Sequence, residues 1–189
     1  MIGVLLAGGK STRFGEDKAI YTLDGKPMYE HVIEKMKNVQ AIDEIVINTN
    51  DKLKGSFNAK YKVIIDDPNY KDMGPLSGIY RAAVEYPDQA LLVMSVDTPY
   101  VEKEWLNQLT ESAKHSGLTT ITSDDEHLHP LIGVYQSENL SEKLKAQLDS
   151  KRLSMKAFLE NIDINVLDVD DYDFDKEMLV NINRKSDIK

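Results

Sequence analysis

The chain has 189 residues, a length that fits one domain with its own core. Its formal net charge of −9 argues against a general affinity for nucleic acid or an anionic membrane, because both partners need a basic field. It has no cysteine, which excludes disulfides, thiolate metal sites and a cysteine nucleophile, and which is compatible with a reducing cytoplasm, the location that we expect.

The first element is a short apolar segment, Ile2–Leu6, which we interpret as a buried strand. It has no basic start and is too short for a signal peptide or a membrane span, so we expect neither export nor membrane insertion. A glycine-rich segment with three cations follows directly and reads Leu-Ala-Gly-Gly-Lys-Ser-Thr-Arg-Phe-Gly-Glu-Asp-Lys over residues 6–18.

This glycine-rich segment predicts a loop that binds a triphosphate. Gly8, Gly9 and Gly15 allow positive φ and a close approach of backbone N–H groups to an anion. Arg13 and Lys18 supply countercharge, and the planar fork of Arg13 suits bidentate phosphate contact. The spacing matches neither the P-loop nor the dinucleotide-binding fingerprint. A flexible, solvated loop is the alternative interpretation.

Strands that alternate with helices follow in the first half of the chain. Apolar segments predict strands at Ile45–Ile47, Val63–Ile65 and Ala90–Val96, and helices are predicted after Pro27, from Pro75 to Tyr86, and around Trp105–Leu109. This order predicts an α/β fold of Rossmann-like type, with a mostly parallel central sheet and helices on both faces. Ligands of such sheets bind beyond the carboxyl ends of the strands, where Asn48, Asp66, Asp67 and Asp97 lie.

The pattern changes after Gly117 and predicts a mixed part of the sheet. Strands are predicted at Leu118–Thr122, Ile132–Tyr135, Ile164–Asp168 and Val180–Ile182, a polar hairpin or loop at Asp124–His129, and helices at Ser137–Leu148 and Leu153–Ile162. We therefore predict a single domain over residues 1–189, with a nucleotide-binding half at about 1–117 and a second half at 118–189. The late acidic stretch between Asp163 and Glu177 is interpreted as a solvated surface.

Asp97 is the candidate metal ligand. It follows an apolar strand, so its carboxylate emerges at the strand end rather than in the core. Mg²⁺ commonly takes one or two protein carboxylates and completes its octahedron with phosphate oxygens and water, so a single aspartate opposite a nucleotide is sufficient. The alternative is that Asp97 caps the helix that follows it.

The segment from Leu6 to Lys18 resembles the signature L-A-G-G-x-S-x-R-x-G-x-D-K of the molybdenum cofactor guanylyltransferases, a branch of the α/β nucleotidyltransferases. Four later segments agree in order along the chain: Gly74–Gly78, Val96–Pro99, His129–Leu131 and Asn181–Asn183. Sugar-nucleotide pyrophosphorylases tend toward G-x-G-T-R and the cytidylyltransferases toward L-A-A-G, so Gly8 and the Asp17-Lys18 pair favour the guanylyl branch. The resemblance spans nearly the whole chain.

The resemblance implies an enzyme that transfers GMP from GTP to Mo-molybdopterin and releases pyrophosphate. Arg13, Lys18 and Asp97 would be catalytic, with Mg²⁺ on Asp97. The implied GTP contacts are Leu6, Ala7, Gly8, Gly9, Lys18, Asn48, Asp66 or Asp67, Asp97, and the loop residues Gly74, Pro75, Leu76 and Gly78. Arg13 and Lys18 would face the phosphates.

The second half would then be the molybdopterin side. Asn181 and Asn183 are two residues apart, so on an extended segment both amides face one way and could bind the pterin or its phosphate; turn or cap residues are the alternative. The implied protein partners are molybdenum cofactor insertion proteins or acceptor molybdoenzymes, in transient contact. We expect no nucleic acid and no membrane partner.

The transfer needs no protein nucleophile, because a phosphate monoester with a second pKa near ~6 is already largely dianionic at neutral pH. Two other functions remain open: a cytidylyl- or sugar-phosphate nucleotidyltransferase of the same fold, and a non-catalytic carrier of molybdopterin or nucleotide. A metal at Asp97 argues against the carrier. The sequence does not separate Asp66 from Asp67, since either can start a turn at Pro68-Asn69.

Overall fold

The computed structural model describes residues 1–9, 11, 14–125 and 127–188. The strands are β1 (Ile2–Leu6), β2 (Thr22–Leu23), β3 (Lys26–Pro27), β4 (Glu44–Thr49), β5 (Lys62–Ile65), β6 (Leu91–Ser95), β7 (Thr119–Ser123), β8 (Leu128–Tyr135) and β9 (Ile164–Asp168). The helices are α1 (Met28–Lys37), α2 (Pro75–Glu85), α3 (Lys103–Ser116), α4 (Leu140–Asp149) and α5 (Met155–Leu159).

The central sheet has the strand order β5-β4-β1-β6-β8-β7-β9. Its strand pairs are parallel except for those that β8 makes with β6 and β7, so β8 alone runs against the other six strands of the described sheet. This confirms the predicted α/β fold, with a mostly parallel sheet that becomes mixed after Gly117. The pair β2–β3 forms a small separate hairpin that the sequence did not predict; its turn residues Asp24 and Gly25 both have positive φ.

Helices cover both faces of this sheet. Helices α1 and α3 pack on one face through residues such as Ile33 and Trp105, whereas α2, α4 and α5 pack on the other through residues such as Ile79 and Phe158. Strand β1 is buried on both faces, which explains its unbroken apolar sequence. The structure contains no helix, in the residues that it describes, long and apolar enough to cross a bilayer.

The polar hairpin or loop expected at Asp124–His129 is a hairpin connection between the antiparallel strands β7 and β8, with a backbone hydrogen bond from Asp124 N to His127 O, and β8 already begins at Leu128. Another predicted element is wrong. The expected strand Val180–Ile182 has no ladder with the described strands. Ile182 N instead donates to Asp97 O (2.8 Å), and Asp97 already lies in the turn that follows β6.

The two predicted helices of the second half are shorter than expected. Asn139 has a left-handed φ of 54°, which an α-helix interior does not accept. Helix α4 therefore begins at Leu140 and not at the predicted Ser137. Ser154 caps α5, since its hydroxyl accepts a hydrogen bond from Ala157 N at 3.1 Å, and this sets the helix start at Met155.

Candidate active site

A cleft of about 570 Å³ opens at the edge of the sheet where the parallel strands end. Its walls come from the segments that follow β1, β4, β5 and β6. The chain leaves β1 for β4 on one side and later enters β6 on the other, so the cleft lies at a topological switch point, where α/β sheets bind ligands. Beyond residue 117, Leu131 and Asn183 are the lining residues among those described.

Most of the predicted site residues line this cleft: Leu6, Ala7, Gly8, Gly9, Lys18, Asn48, Asp66, Gly74, Pro75, Asp97 and Asn183. Asp67, Leu76, Gly78 and Asn181 are described by the structure but do not line it. Arg13 lies outside the described residues. The cleft therefore brings together residues from both ends of the chain.

The glycines of the glycine-rich segment differ in conformation from the expectation. Only Gly15, of the three, has a positive φ (88°). Gly8 packs beside the segment after β4, where a Cβ would lie at a van der Waals distance of 3.4 Å from the backbone of Thr49. Ser11 shapes the loop: its hydroxyl accepts a hydrogen bond from Lys18 N at 3.1 Å, which returns the chain to the cleft.

Lys18 lies at the centre of the site. Its Nζ donates to Asp97 Oδ2 (3.3 Å), to the carbonyl of Ile182 (3.0 Å) and to Asn183 Oδ1 (3.4 Å), and its side chain is only 12% exposed. The ammonium of Lys18 thus links the glycine-rich segment to the turn after β6 and to the C-terminal segment at Ile182 and Asn183. Lys18 and Asn183 are therefore neighbours in the cleft, and the expected division into a phosphate side at Lys18 and a pterin side at Asn183 stays a prediction.

Asp97 faces the cleft from the turn after β6. Its carbonyl accepts the hydrogen bond from Ile182 N, and its side chain is 22% exposed. The residue at the N-terminal cap of α3 is Glu102, so the alternative that Asp97 caps the next helix is excluded. The Asp97 carboxylate is held at the cleft wall, with Lys18 as a neighbouring cation.

The structure separates Asp66 from Asp67. Asn48 Nδ2 donates to Asp66 Oδ1 at 3.0 Å, and Asp66 lines the cleft. Burial raises the pKa of Asp66, and the hydrogen bond from Asn48 opposes that effect. Asp67 turns away from the cleft and accepts from Asn69 N (2.8 Å), so Asp67 is the residue that starts the turn.

Gly78 and Leu76 support the cleft from behind instead of lining it. A Cβ at Gly78 would lie 2.4 Å from Asn48 Oδ1 and 2.8 Å from Leu6 Cδ2. Leu76 is fully buried in the core on the α2 face of the sheet. The missing side chain of Gly78 therefore makes room for Asn48, which in turn holds Asp66.

Several lining residues were not predicted, among them Asp51, Lys71 and Leu131. Asp51 and Lys71 form an ion pair at 2.9 Å. Asp51 comes just after β4, so the rule of strand ends could have found it. Leu131 lines the cleft where the register of β7 and β8 shifts, and a bulge of this kind cannot be read from the sequence.

A second acidic group lies outside the cleft. Asp125, Asp168 and Asp170 have carboxylate oxygens within 4.8 Å of one another, a geometry that could hold a metal ion; we call these residues the acidic cluster. Lys176 Nζ already lies 2.7 Å from Asp125 and 2.8 Å from Asp170. This lysine lowers the pKa of Asp125 by hydrogen bonding, so the cluster has its own countercharge.

Comparison with known proteins decides the family. A profile described as the MobA-like NTP transferase domain matches residues 3–165. The chain belongs to this family. It is a nucleotidyltransferase, and the cleft at the switch point is the candidate site for that chemistry.

Solved structures agree with this family. The molybdopterin-guanine dinucleotide biosynthesis protein A of Archaeoglobus fulgidus has a TM-score of 0.82 and 25% identity over 100% of this chain and 95% of its own. A protein from Aquifex aeolicus VF5 has a TM-score of 0.74 and 30% identity over 95% of this chain and 91% of its own.

CMP:2-keto-3-deoxy-manno-octonic acid synthetase, solved with CTP, is a more distant structural neighbour. It has a TM-score of 0.71 and 13% identity over 88% of each chain. At that identity the similarity shows a shared fold alone.

Proposed function

We propose that this nucleotidyltransferase transfers GMP from GTP to Mo-molybdopterin, forming molybdopterin guanine dinucleotide and pyrophosphate. The observation that carries the proposal is the position of Lys18, whose Nζ is bonded to Asp97 and to the segment of Asn183 at the mouth of the cleft. A cation here can face a nucleotide phosphate and an acceptor phosphate together. The similarity to the Archaeoglobus fulgidus protein supports the choice of substrates.

The reaction is a direct displacement at phosphorus. An oxygen of the acceptor phosphate attacks the α-phosphorus of GTP, a new oxygen–phosphorus bond forms, and the bond to the β-phosphate breaks to release pyrophosphate. A phosphate monoester with a second pKa near ~6 needs no general base at neutral pH. The protein's task is therefore to align the reactants and to neutralise charge on the leaving group.

Asp97 fits a magnesium ion by the chemistry of its donor atoms. It presents a hard carboxylate at the cleft wall, and Mg²⁺ needs only one or two such ligands when phosphate oxygens and water supply the rest. When bound there, the ion would neutralise phosphate charge. The acidic cluster does not face the cleft, so we assign the metal to Asp97 instead.

Base selection is assigned to Asp66. A charged carboxylate can accept hydrogen bonds from the paired N1–H and N2–H₂ donors of guanine, whereas the corresponding edge of cytosine offers no such pair. The hydrogen bond from Asn48 and the space left by Gly78 fix the position of that carboxylate. We propose Asn48 and Gly78 as positioning residues and Asp66 as the residue that contacts the base.

The test is pyrophosphate release from each of the four nucleoside triphosphates, with and without Mo-molybdopterin, at fixed Mg²⁺. The proposal predicts release that depends on both GTP and Mo-molybdopterin. Faster release with CTP would favour a cytidylyltransferase, and release with a sugar phosphate in place of molybdopterin would favour a sugar-nucleotide enzyme. Binding of both ligands without release would favour the carrier function.

A further inference from the structure

Three ion pairs follow one another around the mouth of the cleft. Each joins two different segments: Lys71 to Asp51 at 2.9 Å, Lys52 to Asp17 at 2.7 Å, and Lys185 to Glu16 at 2.5 Å. Asp51 and Lys52 are adjacent in sequence, and so are Glu16 and Asp17. The three pairs therefore form one continuous series, which we call the rim chain.

The residues of the rim chain line the cleft or lie close in sequence to residues that do. Asp51 and Lys71 themselves line the cleft. Asp17 immediately precedes Lys18, and Lys185 lies two residues after Asn183. The rim chain thus connects the segments that follow β1, β4 and β5 with the C-terminal segment that contains Asn183.

Lys185 is held by more than its carboxylate partner. Its Nζ lies 5.2 Å from the ring centre of Tyr21 and 5.9 Å from that of Phe14, and these two rings pack edge to face at 5.0 Å. Phe14 is buried. Because Phe14 and Tyr21 flank Lys18 in sequence, Lys185 contacts the phosphate loop on both sides of its central lysine.

Asp17 occupies the cap position of the short 3-10 helix Lys18–Ile20, yet its side chain makes no capping hydrogen bond there. The carboxylate bonds to Lys52 instead, at 2.7 Å. Asp17 thus connects the segment of Lys18 to the segment after β4. Its ion pair with Lys52 explains why an acidic residue can lie next to Lys18 in a site for an anionic substrate.

We propose that Lys52 and Lys185 are positioning residues, which hold residues 14–21 from two sides so that Lys18 faces Asp97. The inference rests on the proposed function of the cleft. A single exposed ion pair contributes little to stability, but pairs in series limit the conformations of one short loop. Loss of a pair should therefore act on nucleotide binding more than on global folding.

A different role for these lysines would be a general attraction for anionic substrates. The two explanations predict opposite signs for two substitutions. If the rim chain acted only through its electric field, Asp17→Lys and Glu16→Lys would add positive charge and tighten binding of a nucleoside triphosphate. If the rim chain positions the loop, both substitutions weaken binding, because each puts two cations opposite each other.

The experiment measures the Kd of GTP with Mg²⁺, together with kcat and KM, for charge-reversed pairs. The variants are Asp17→Lys, Lys52→Glu and their double, and Glu16→Lys, Lys185→Glu and their double. Each double keeps the wild-type net charge. The control is the reversal of Lys26–Glu34, a pair outside the cleft that has the length of Lys52–Asp17 (2.7 Å) and an exposure similar to that of Lys185–Glu16.

We expect each single reversal to raise Kd and KM by about three- to fivefold, the scale of one exposed ion pair. Each double should return both values to within about twofold of wild type, and the control should change neither. Tighter GTP binding by Asp17→Lys, or doubles that stay as weak as the singles, would overturn the proposal.

Amide hydrogen exchange of residues 14–21, measured without nucleotide, separates this inference from the proposed function. Exchange should be faster in the single reversals, restored in the doubles and unchanged in the Lys26–Glu34 control. If GTP is not the substrate, these results still hold and the failure lies with the proposed function. Unchanged exchange in all single variants would reject the positioning role itself.

Discussion

Two aspartate–lysine groups lie at the same edge of the sheet and differ in what their charges contact. In the cleft, Lys18 and Asp97 are 3.3 Å apart and mostly buried, with side chains 12% and 22% exposed. In the acidic cluster, Lys176 contacts Asp125 and Asp170 at 2.7 and 2.8 Å, and all three side chains are at least 40% exposed.

The difference shows that the proximity of several carboxylates indicates a ligand site less strongly than their burial and their position in a cleft do. Asp125 and Asp170 of the acidic cluster are both paired with Lys176, and Asp168 accepts hydrogen bonds from Ser123 Oγ and Asp170 N. Lys18 and Asp97 have a longer contact inside a cleft, where a phosphate or a cation can enter between them. The predictions below compare residues of one type on the two sides of this contrast.

The largest effect should come from Asp97→Asn. If Asp97 holds the metal, the variant loses an electrostatic contribution of several kcal/mol, so kcat for pyrophosphate release should fall by roughly two to three decades. Asp168→Asn, in the acidic cluster, is the control and should keep near wild-type turnover. Steady-state kinetics at saturating Mg²⁺ checks both, and equal losses in the two variants would remove the distinction.

Lys18→Ala should have the next largest effect. It removes a cation at the transferring phosphates, so it should raise the Kd of GTP and also lower kcat by about two decades, because the charge is strongest in the transition state. Lys176→Ala should change neither value by more than about twofold, because Lys176 does not line the cleft and its ion pairs are exposed. Single-turnover kinetics and GTP titration separate the two parts, and a normal kcat in Lys18→Ala would contradict the assignment.

Asp66→Asn should reduce the preference for GTP over CTP by about 10- to 100-fold, since an unmet hydrogen-bonding group costs roughly 1–3 kcal/mol. Asp67→Asn is the matched control, because Asp67 caps a turn outside the cleft. The ratio of kcat/KM for the two nucleotides is the measurement. A preference lost in Asp67→Asn and kept in Asp66→Asn would reverse the assignment.

The pKa of Asp66, raised by burial, adds a pH dependence. GTP affinity should fall as the pH drops through the raised pKa, because a protonated carboxyl no longer accepts both guanine donors. The sign for stability is opposite: the folded state binds this proton more tightly than the unfolded state, so the charged form destabilises the fold at neutral pH. Asp66→Asn should therefore not lower the free energy of unfolding at pH 7, and urea titration tests this.

The smallest effect should come from the asparagines. Asn183 Oδ1 accepts a long hydrogen bond from Lys18 (3.4 Å), so Asn183→Ala should weaken both GTP and molybdopterin binding by about three- to tenfold, on the scale of one ordinary hydrogen bond. Asn181→Ala should leave GTP binding unchanged, because Asn181 does not line the cleft. The measurement is a separate titration of each variant with GTP and with molybdopterin. A wild-type GTP affinity in Asn183→Ala would contradict this expectation and would support a pterin side at Asn183 that is separate from the phosphate side at Lys18.

The sequence predicted the parts of the site that follow from local rules. Strand β1 and the carboxyl ends of β4, β5 and β6 were recognised from apolar segments, and these placed Leu6, Asn48 and Asp97 at one edge before any coordinates were known. The glycine-rich segment identified the loop, although of Gly8, Gly9 and Gly15 only Gly15 has the positive φ that was expected.

The other features of the site depend on contacts between residues that are far apart in the sequence. The choice between Asp66 and Asp67 is made by the turn at Pro68 and by Asn48, eighteen positions earlier. The role of Gly78 depends on the same asparagine. The bond between Lys18 and Asn183 joins residues 165 positions apart, and no periodicity or motif spacing predicts it.

The most direct test of the central claim is the position of the metal. Crystals grown with Mn²⁺ and a non-hydrolysable GTP analogue would locate the ion by its anomalous scattering. The account predicts a manganese peak at the Asp97 carboxylate, with Lys18 Nζ in contact with the phosphates. A peak at Asp125, Asp168 and Asp170 with none at Asp97 would contradict it.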